Sequence, residues 1–221
     1  MAIGIIGSGM IGVQVAGLCI AAGLEVVICN TRGPETLADL VAELGPGARA
    51  ATVAGVAKAA ELIVLAVPFG SYGRIPADLL AGKIVIDTTN YYPQRDGWMR
   101  EVTTDTVATS ELVQRHLARS FVVRAINNMD FASLGRAARP AGAPDRSALP
   151  VGSDHARPKA AVVEFLDRIG FDAVDMGTLA ESWRSEPTTP VYVSPYYTGP
   201  VGKSEVARLL RKAVRHDRMF G

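Results

Sequence analysis

Three glycines near the start of the chain carry the first chemical signal. Gly7, Gly9 and Gly12 stand in the order G-x-G-x-x-G, with Ser8, Met10 and Ile11 between them. They follow the apolar run Ile3-Gly4-Ile5-Ile6. They open a segment in which Ile11, Val15, Leu18, Cys19 and Ala22 recur at helical spacing. A glycine turn between strand and helix suits a pyrophosphate. The first glycine allows the tight turn, the second lets backbone N–H groups approach the ligand, and the third lets helix and strand pack closely. The helix N-terminus adds free donors and a partial positive charge. The same glycines would also serve a turn that only packs tightly, but the strand–turn–helix setting favours a dinucleotide.

The end of the second strand, Glu25–Cys29, bears on which dinucleotide. An acidic residue there would bind the ribose 2′-hydroxyl of NAD. The chain has Asn30-Thr31-Arg32 instead. A hydroxyl donates to a 2′-phosphate, and a guanidinium pairs with it and stacks on adenine. NADP(H) is therefore the expected cofactor. In the blander reading, Thr31 and Arg32 begin a surface loop before Pro34.

Other chemistries find less support. His116, His155 and His216 are scattered, and Cys19 and Cys29 match no zinc spacing, so no metal site is expected. No tyrosine is followed four residues later by lysine, and there is no G-x-S-x-G elbow. Ser8 lies in the phosphate turn, where its hydroxyl is expected to contact phosphate rather than act as a nucleophile. Hydride transfer needs mainly two rings held face to face, about 3–3.5 Å apart, and no covalent catalyst.

These residues need a frame to hold them. The chain alternates strand and helix: after Glu25–Cys29, a helix from Pro34 to about Leu44, a weak strand Arg49–Ala51 and a helix Val53–Ala60. Then come the strand Leu62–Val67, a short helix Pro76–Leu80, the strand Lys83–Asp87 and a polar loop from Thr88 to Gly97. A helix Ser110–Leu117, a strand Phe121–Ile126 and a helix Asp130–Ala138 follow. Beyond the loop Arg139–Ser147 lie a short strand Ala148–Val151, a helix Lys159–Ile169 and a strand Phe171–Asp175. The pattern weakens after Gly177 until a helix at Ser204–Arg215. This predicts an α/β fold, a doubly wound parallel sheet of Rossmann type with a small C-terminal extension. We read residues 1–221 as one domain, with a core at 1–138 and an elaboration at 148–221. Ligands in such sheets bind outside the carboxyl ends of the strands. With strand ends at Val67, Asp87 and Ile126, Pro68, Asn90 and Asn127 should converge there. Asn90 would otherwise be a turn former before Tyr91-Tyr92-Pro93. Tyr91, Tyr92 and Trp98 would wall an aromatic substrate or anchor their loop. Cys29 is expected to pack.

Composition limits the partners. Lys and Arg total 23 against 22 acidic residues, a net +1 that does not call for nucleic acid. Apolar residues make up 48% and charged residues 20%, a globular balance rather than a disordered one. No apolar stretch reaches the roughly 20 residues of a membrane span. Two cysteines cannot staple a chain this long, so a reduced cytoplasmic setting is expected, and Met1 leads into Ala2–Ile6 without a basic leader, so no signal peptide is expected. The last helix carries Val206, Leu209, Leu210, Ala213 and Val214 on one stripe. From Lys203 to Arg218 there are six basic and two acidic residues. That helix would pack on its own domain, form a homodimer contact or flank an acidic ligand.

From Ile3 to about Tyr192 the chain resembles the coenzyme F420-dependent NADP oxidoreductase family, whose fold is shared by the reductase domain of six-transmembrane metalloreductases. The resemblance rests on the Gly7–Gly12 turn, Asn30-Thr31-Arg32, Leu65-Ala66-Val67-Pro68, Lys83–Asn90, Val123–Asn128 and Phe171–Gly177. It implies that Ser8, Gly9, Met10 and Ile11 line the pyrophosphate and that Thr31 and Arg32 hold the 2′-phosphate. It also implies that Val67 and Pro68 pack on the nicotinamide side, and that Ala125 and Asn127 border the hydride-transfer cleft. Asn127 stands where archaeal deazaflavin reductases tend to carry histidine, and Asn127–Phe131 is closer to the metalloreductase version. A basic residue near the 2′-phosphate in some members is replaced near Thr36, and Ser194–Tyr197 has no match. The implied activity is hydride transfer between NADP(H) and a small-molecule acceptor such as F420 or a flavin. The rivals are reduction of a small carbonyl or imine, and an NADP-sensing or scaffold protein without turnover.

Overall fold

The computed structural model describes residues 2–104 and 106–215. His216 and Arg218 lie outside the described residues. In chain order the elements are β1 (Ala2–Ile6), α1 (Met10–Ala21), β2 (Glu25–Cys29), α2 (Ala38–Leu44), β3 (Ala48–Ala50), α3 (Val53–Ala59), β4 (Leu62–Leu65) and β5 (Ile84–Asp87). Then follow α4 (Pro93–Asp96), α5 (Arg100–Thr103), α6 (Thr109–His116), β6 (Phe121–Arg124), α7 (Phe131–Ala137), β7 (Ala148–Gly152), α8 (Ala156–Arg168), β8 (Asp172–Gly177) and α9 (Lys203–Lys212).

The strands form one eight-stranded sheet in the order β3-β2-β1-β4-β5-β6-β7-β8. The first six run parallel, and β7 pairs antiparallel with β6 while β8 runs parallel to β7. The expectation of a parallel sheet is thus corrected at its last two strands, which run opposite to the rest. Chain order reverses between β1 and β4, so the crevice expected of a doubly wound sheet opens at their carboxyl ends.

Alternate strand residues bury opposite faces, as strand geometry requires. Ile3, Ile5, Val26, Ile28, Val64 and Ile86 pack with α1 and α8. Val27, Ile63, Leu65, Val85 and Val122 pack with α3 and α6. Strands covered on both faces read as near-continuous apolar runs, which is why β4 and β5 stand out in the sequence.

Several boundaries move, each for a physical reason. The helix expected from Pro34 divides into a tight 3₁₀ turn, Pro34–Leu37, and α2. β4 ends at Leu65 rather than Val67. β6 ends at Arg124 rather than Ile126, because Ile126 takes a left-handed backbone, φ 64°. α8 begins three residues before Lys159, since Pro158 fits a first turn, where its missing N–H has no partner to lose. The polar loop after β5 contains α4, and 3₁₀ turns at Phe69–Arg74, Leu179–Ser185 and Ser194–Tyr197 were not anticipated. The apolar stripe of α9, Val206, Leu209 and Leu210, is buried with residues of β7 and β8 on its own chain.

Candidate active site

The three glycines have three different surroundings. Gly7 sits at φ 114°, and a Cβ there would lie 2.1 Å from the Ala66 carbonyl oxygen. A Cβ on Gly12 would lie 2.0 Å from the Gly7 carbonyl oxygen. These two positions close the turn and seat α1 against β1. Gly9 is exposed, with nothing within 4 Å of its Cβ position. It precedes α1 with no side chain capping the helix, and the first turn holds no acidic residue. The N-terminal donors of α1 are therefore open to a ligand.

Two cavities meet at this turn. One, about 490 Å³, is lined by Gly7, Ser8, Gly9, Asn30, Thr31 and Arg32, together with Arg74. The other, about 410 Å³, is lined by Gly9, Met10, Ile11, Asn90 and Asn127, together with Tyr92. Gly9, Ala66, Val67 and Pro68 belong to both walls. Together the cavities make one cleft across the β1/β4 switch point, from the end of β2 to the ends of β5 and β6.

At the β2 end, Asn30 organises its own loop. Its Oδ1 accepts from the Arg32 and Gly33 amides at 2.9 and 3.1 Å, and its Nδ2 donates to the Thr36 hydroxyl at 2.9 Å. Thr36 donates in turn to the Gly33 carbonyl at 2.7 Å. This turn leaves the Thr31 and Arg32 side chains exposed. No carboxylate among the described residues pairs with the Arg32 guanidinium.

At the other end, the foundation is a fully buried ion pair. Asp87 and Arg124 are register partners at the tips of β5 and β6, with Arg124 Nη1 3.1 Å from Asp87 Oδ2. The Thr89 and Ser110 hydroxyls donate to the same carboxylate at 2.7 and 2.6 Å. Arg124 also donates to the Thr89 carbonyl and, at 3.1 Å, to Asn90 Oδ1. A buried pair of this kind is costly to break, roughly 3–5 kcal/mol when one partner is removed.

Asn90 and Asn127 both line the second cavity, yet their amides are largely committed to protein. Asn127 is 2% exposed; it donates to the Ser185 carbonyl at 2.6 Å and accepts from the Ser185 hydroxyl at 3.1 Å. Asn90 donates to the Asn127 carbonyl at 2.8 Å and lies 3.4 Å from the Tyr192 hydroxyl. Ala125 is fully buried in the core, and Ile126 takes the place on the cavity wall. Ile126 and Val193, at φ 64° and 54°, are β-branched residues in a left-handed conformation, and both line this cavity. Each costs about 1–3 kcal/mol, strain that concentrates at ligand sites.

Sequence reasoning missed Tyr192 and Arg95 on this wall, and Arg74 on the other. The Tyr92 and Tyr192 hydroxyls bond each other, and both residues line the cavity. Burial first, and then the Tyr92 hydroxyl, pushes the Tyr192 phenol above its ordinary range. Arg95 donates to the Asn90 carbonyl at 2.6 Å and pairs with Asp96 at 2.8 Å, its guanidinium over the Tyr92 ring. Tyr91 is buried and bonds the Gly97 carbonyl at 2.8 Å, whereas Trp98 is 64% exposed. Cys19 and Cys29 are buried free thiols, and no cluster among the described residues could hold a metal ion.

Residues 2–91 match the family model of NADP oxidoreductases dependent on coenzyme F420. The structure is similar to that of a proposed F420-dependent NADP-reductase from Arthrobacter sp. FB24, at 31% identity and a TM-score of 0.68, over 80% of this chain and 84% of that one. The chain belongs to this family of NADP-dependent oxidoreductases. Within the same fold, SMa0349 from Sinorhizobium meliloti superposes with a TM-score of 0.76 at 27% identity, over 87% of this chain and 93% of that one. A curated protein of Escherichia coli K12, YjhV, is 40% identical over 53 residues. These are 24% of this chain, and the match spans 39% of YjhV. The glycine turn and the β4–β5 segment of this chain both fall within the matched residues 2–91, on the walls of the cleft described above. No described helix is long and apolar enough to cross a membrane.

Proposed function

We propose that the protein is an NADP(H)-dependent oxidoreductase passing hydride between the nicotinamide and a deazaflavin- or flavin-like acceptor of the F420 type. One observation carries this reading: the two cavities join at Gly9, Ala66, Val67 and Pro68, so a cofactor held at the glycine turn has a second chamber beside its reactive end. The residues fit NADP(H). Gly9 leaves open space, α1 presents free N–H groups, and the β2 end offers Thr31 and Arg32 in place of an acid. Bound there, NADP(H) supplies or takes up the hydride.

Each residue then has a task. Gly7–Gly12 holds the pyrophosphate, with Ser8 donating to it and Met10 and Ile11 walling it. Thr31 and Arg32 take the 2′-phosphate, on a loop that Asn30 keeps in shape. Val67 and Pro68 wall the junction of the two cavities and would flank the nicotinamide. Asn90 and Asn127, fixed by Arg124 and Ser185, set the floor on which a planar acceptor rests. The second chamber, about 410 Å³, argues against a purely sensing role.

The Tyr92–Tyr192 hydroxyl pair favours a second reading, reduction of a small carbonyl or imine, because phenols facing the chamber could protonate the reduced product. Assaying NADPH oxidation against F420, free flavins, ferric chelates and small carbonyls separates the two. Turnover with F420 or a flavin is expected. Turnover with carbonyls alone would establish the second reading.

A further inference from the structure

The NADP(H) reading leaves a charge to be balanced at the β2 end of the cleft. A phosphate monoester carries about −1.5 to −2 at neutral pH, and Arg32 supplies a single positive charge. Thr36 is neutral and adds no charge, and its hydroxyl is already held by Asn30 and the Gly33 carbonyl. The same cavity has another wall, the 3₁₀ turn Phe69–Arg74 after β4, which contributes Ser71 and ends in Arg74. Arg74 is exposed, and no carboxylate among the described residues pairs with it. Val53, Ile75 and Pro76 give this cavity an apolar lining of the kind a purine ring occupies. Two unpaired guanidiniums from different segments therefore share one cavity.

We propose that Arg74 is a second cation for the 2′-phosphate of NADP(H) and a determinant of cofactor choice, acting from the β4 side while Arg32 acts from the β2 side. The inference rests on the NADP(H) reading of the cleft. Two guanidiniums match the charge of the phosphate dianion, and each offers forked donors to its oxygens. The turn Phe69–Arg74 is held independently of any ligand: the Gly70 amide donates to Asp96 at 3.1 Å and Phe69 is fully buried. Arg74 is thus presented on a fixed element.

Equilibrium titration of the full chain with NADPH and with NADH tests this. Arg74→Ala should weaken NADPH by roughly 10-fold or more, the range for a charge-assisted contact, and leave NADH within about 2-fold. The salt dependence of NADPH binding should flatten, and Arg74→Lys should keep much of the preference. If wild type prefers NADPH and Arg74→Ala keeps that preference intact, Arg74 is not a determinant and the NADP(H) reading stands. Equal loss of both cofactors also overturns the inference. If wild type does not prefer NADPH, the inference falls together with the reading it rests on.

Discussion

Asn90 and Asn127 hold each other across the tips of β5 and β6. Asn90 Nδ2 donates to the Asn127 carbonyl at 2.8 Å, and Asn127 Nδ2 lies 3.3 Å from Asn90 Oδ1. Because Asn127 is also tied to Ser185, the pair links the end of the sheet to the C-terminal segment. Its role in our account is to fix the acceptor floor rather than to move a proton.

Asn127→Leu should therefore affect both stability and rate. It leaves the buried Ser185 hydroxyl and carbonyl without this partner, a loss of roughly 1–3 kcal/mol in denaturant unfolding. NADPH affinity should hold, while hydride transfer slows as the floor shifts, since about 1 Å of misplacement can cost roughly 100-fold. Wild-type rate and stability together would remove Asn127 from the account.

The glycines should respond differently from one another. Gly9→Val places its methyl groups in open space, so the fold should survive while cofactor binding fails. Gly12→Val drives a Cβ to 2.0 Å from a backbone oxygen and should unfold the turn or sharply lower the melting temperature. Tight NADPH binding by Gly9→Val would take the turn out of the site.

Much of this frame was legible in the sequence because it rests on short-range rules. The glycine turn, the apolar β4 and β5 and the missing acid after β2 each read directly. The rest was not, for physical reasons. Tyr192 reaches the cleft from 102 positions beyond Asn90. Its segment is held by two buried polar residues, Ser185, which bonds Asn127, and Glu186, which accepts from the Thr109 amide at 2.8 Å. Polar residues buried through long-range hydrogen bonds leave no hydrophobic period to follow. Nothing local in the sequence pairs Asp87 with Arg124, 37 positions apart; only the β5–β6 register sets them side by side.

Arg32→Ala should weaken NADPH by about 1.5–3 kcal/mol and leave NADH nearly unchanged. The ratio of the two dissociation constants is the measurement. Equal weakening would make Arg32 a structural residue of the β2 loop.

Asp96 links pH to the cleft wall. Burial works against its charge, but the Arg95 guanidinium and the Tyr92 and Gly70 amides outweigh it and hold its carboxyl below the ordinary range. A carboxylate depressed in the folded state stabilises above its unfolded pKa, about 3.9, and loses that contribution as pH falls through the folded value. The melting temperature of Asp96→Asn should thus lie below wild type near neutral pH, with the gap closing in acid. A gap that widens in acid would contradict the sign.

Burial pushes the Cys19 thiol up to about 12 and the Cys29 thiol up to about 11. Both stay neutral at ordinary assay pH and are poor nucleophiles. Thiol reagents should label neither residue in the native protein and both after unfolding. Rapid native labelling of Cys29 would show that the β2 end opens.

The central claim, hydride passing from NADPH to a deazaflavin-type acceptor in this cleft, is tested most directly by stopped-flow mixing. Protein loaded with NADPH is mixed anaerobically with F420, and both chromophores are followed. The account predicts that NADPH oxidation and F420 reduction proceed at one rate, and that Gly9→Val abolishes both. NADPH that remains reduced beside F420, in a protein that oxidises it with small carbonyls or not at all, would contradict the account.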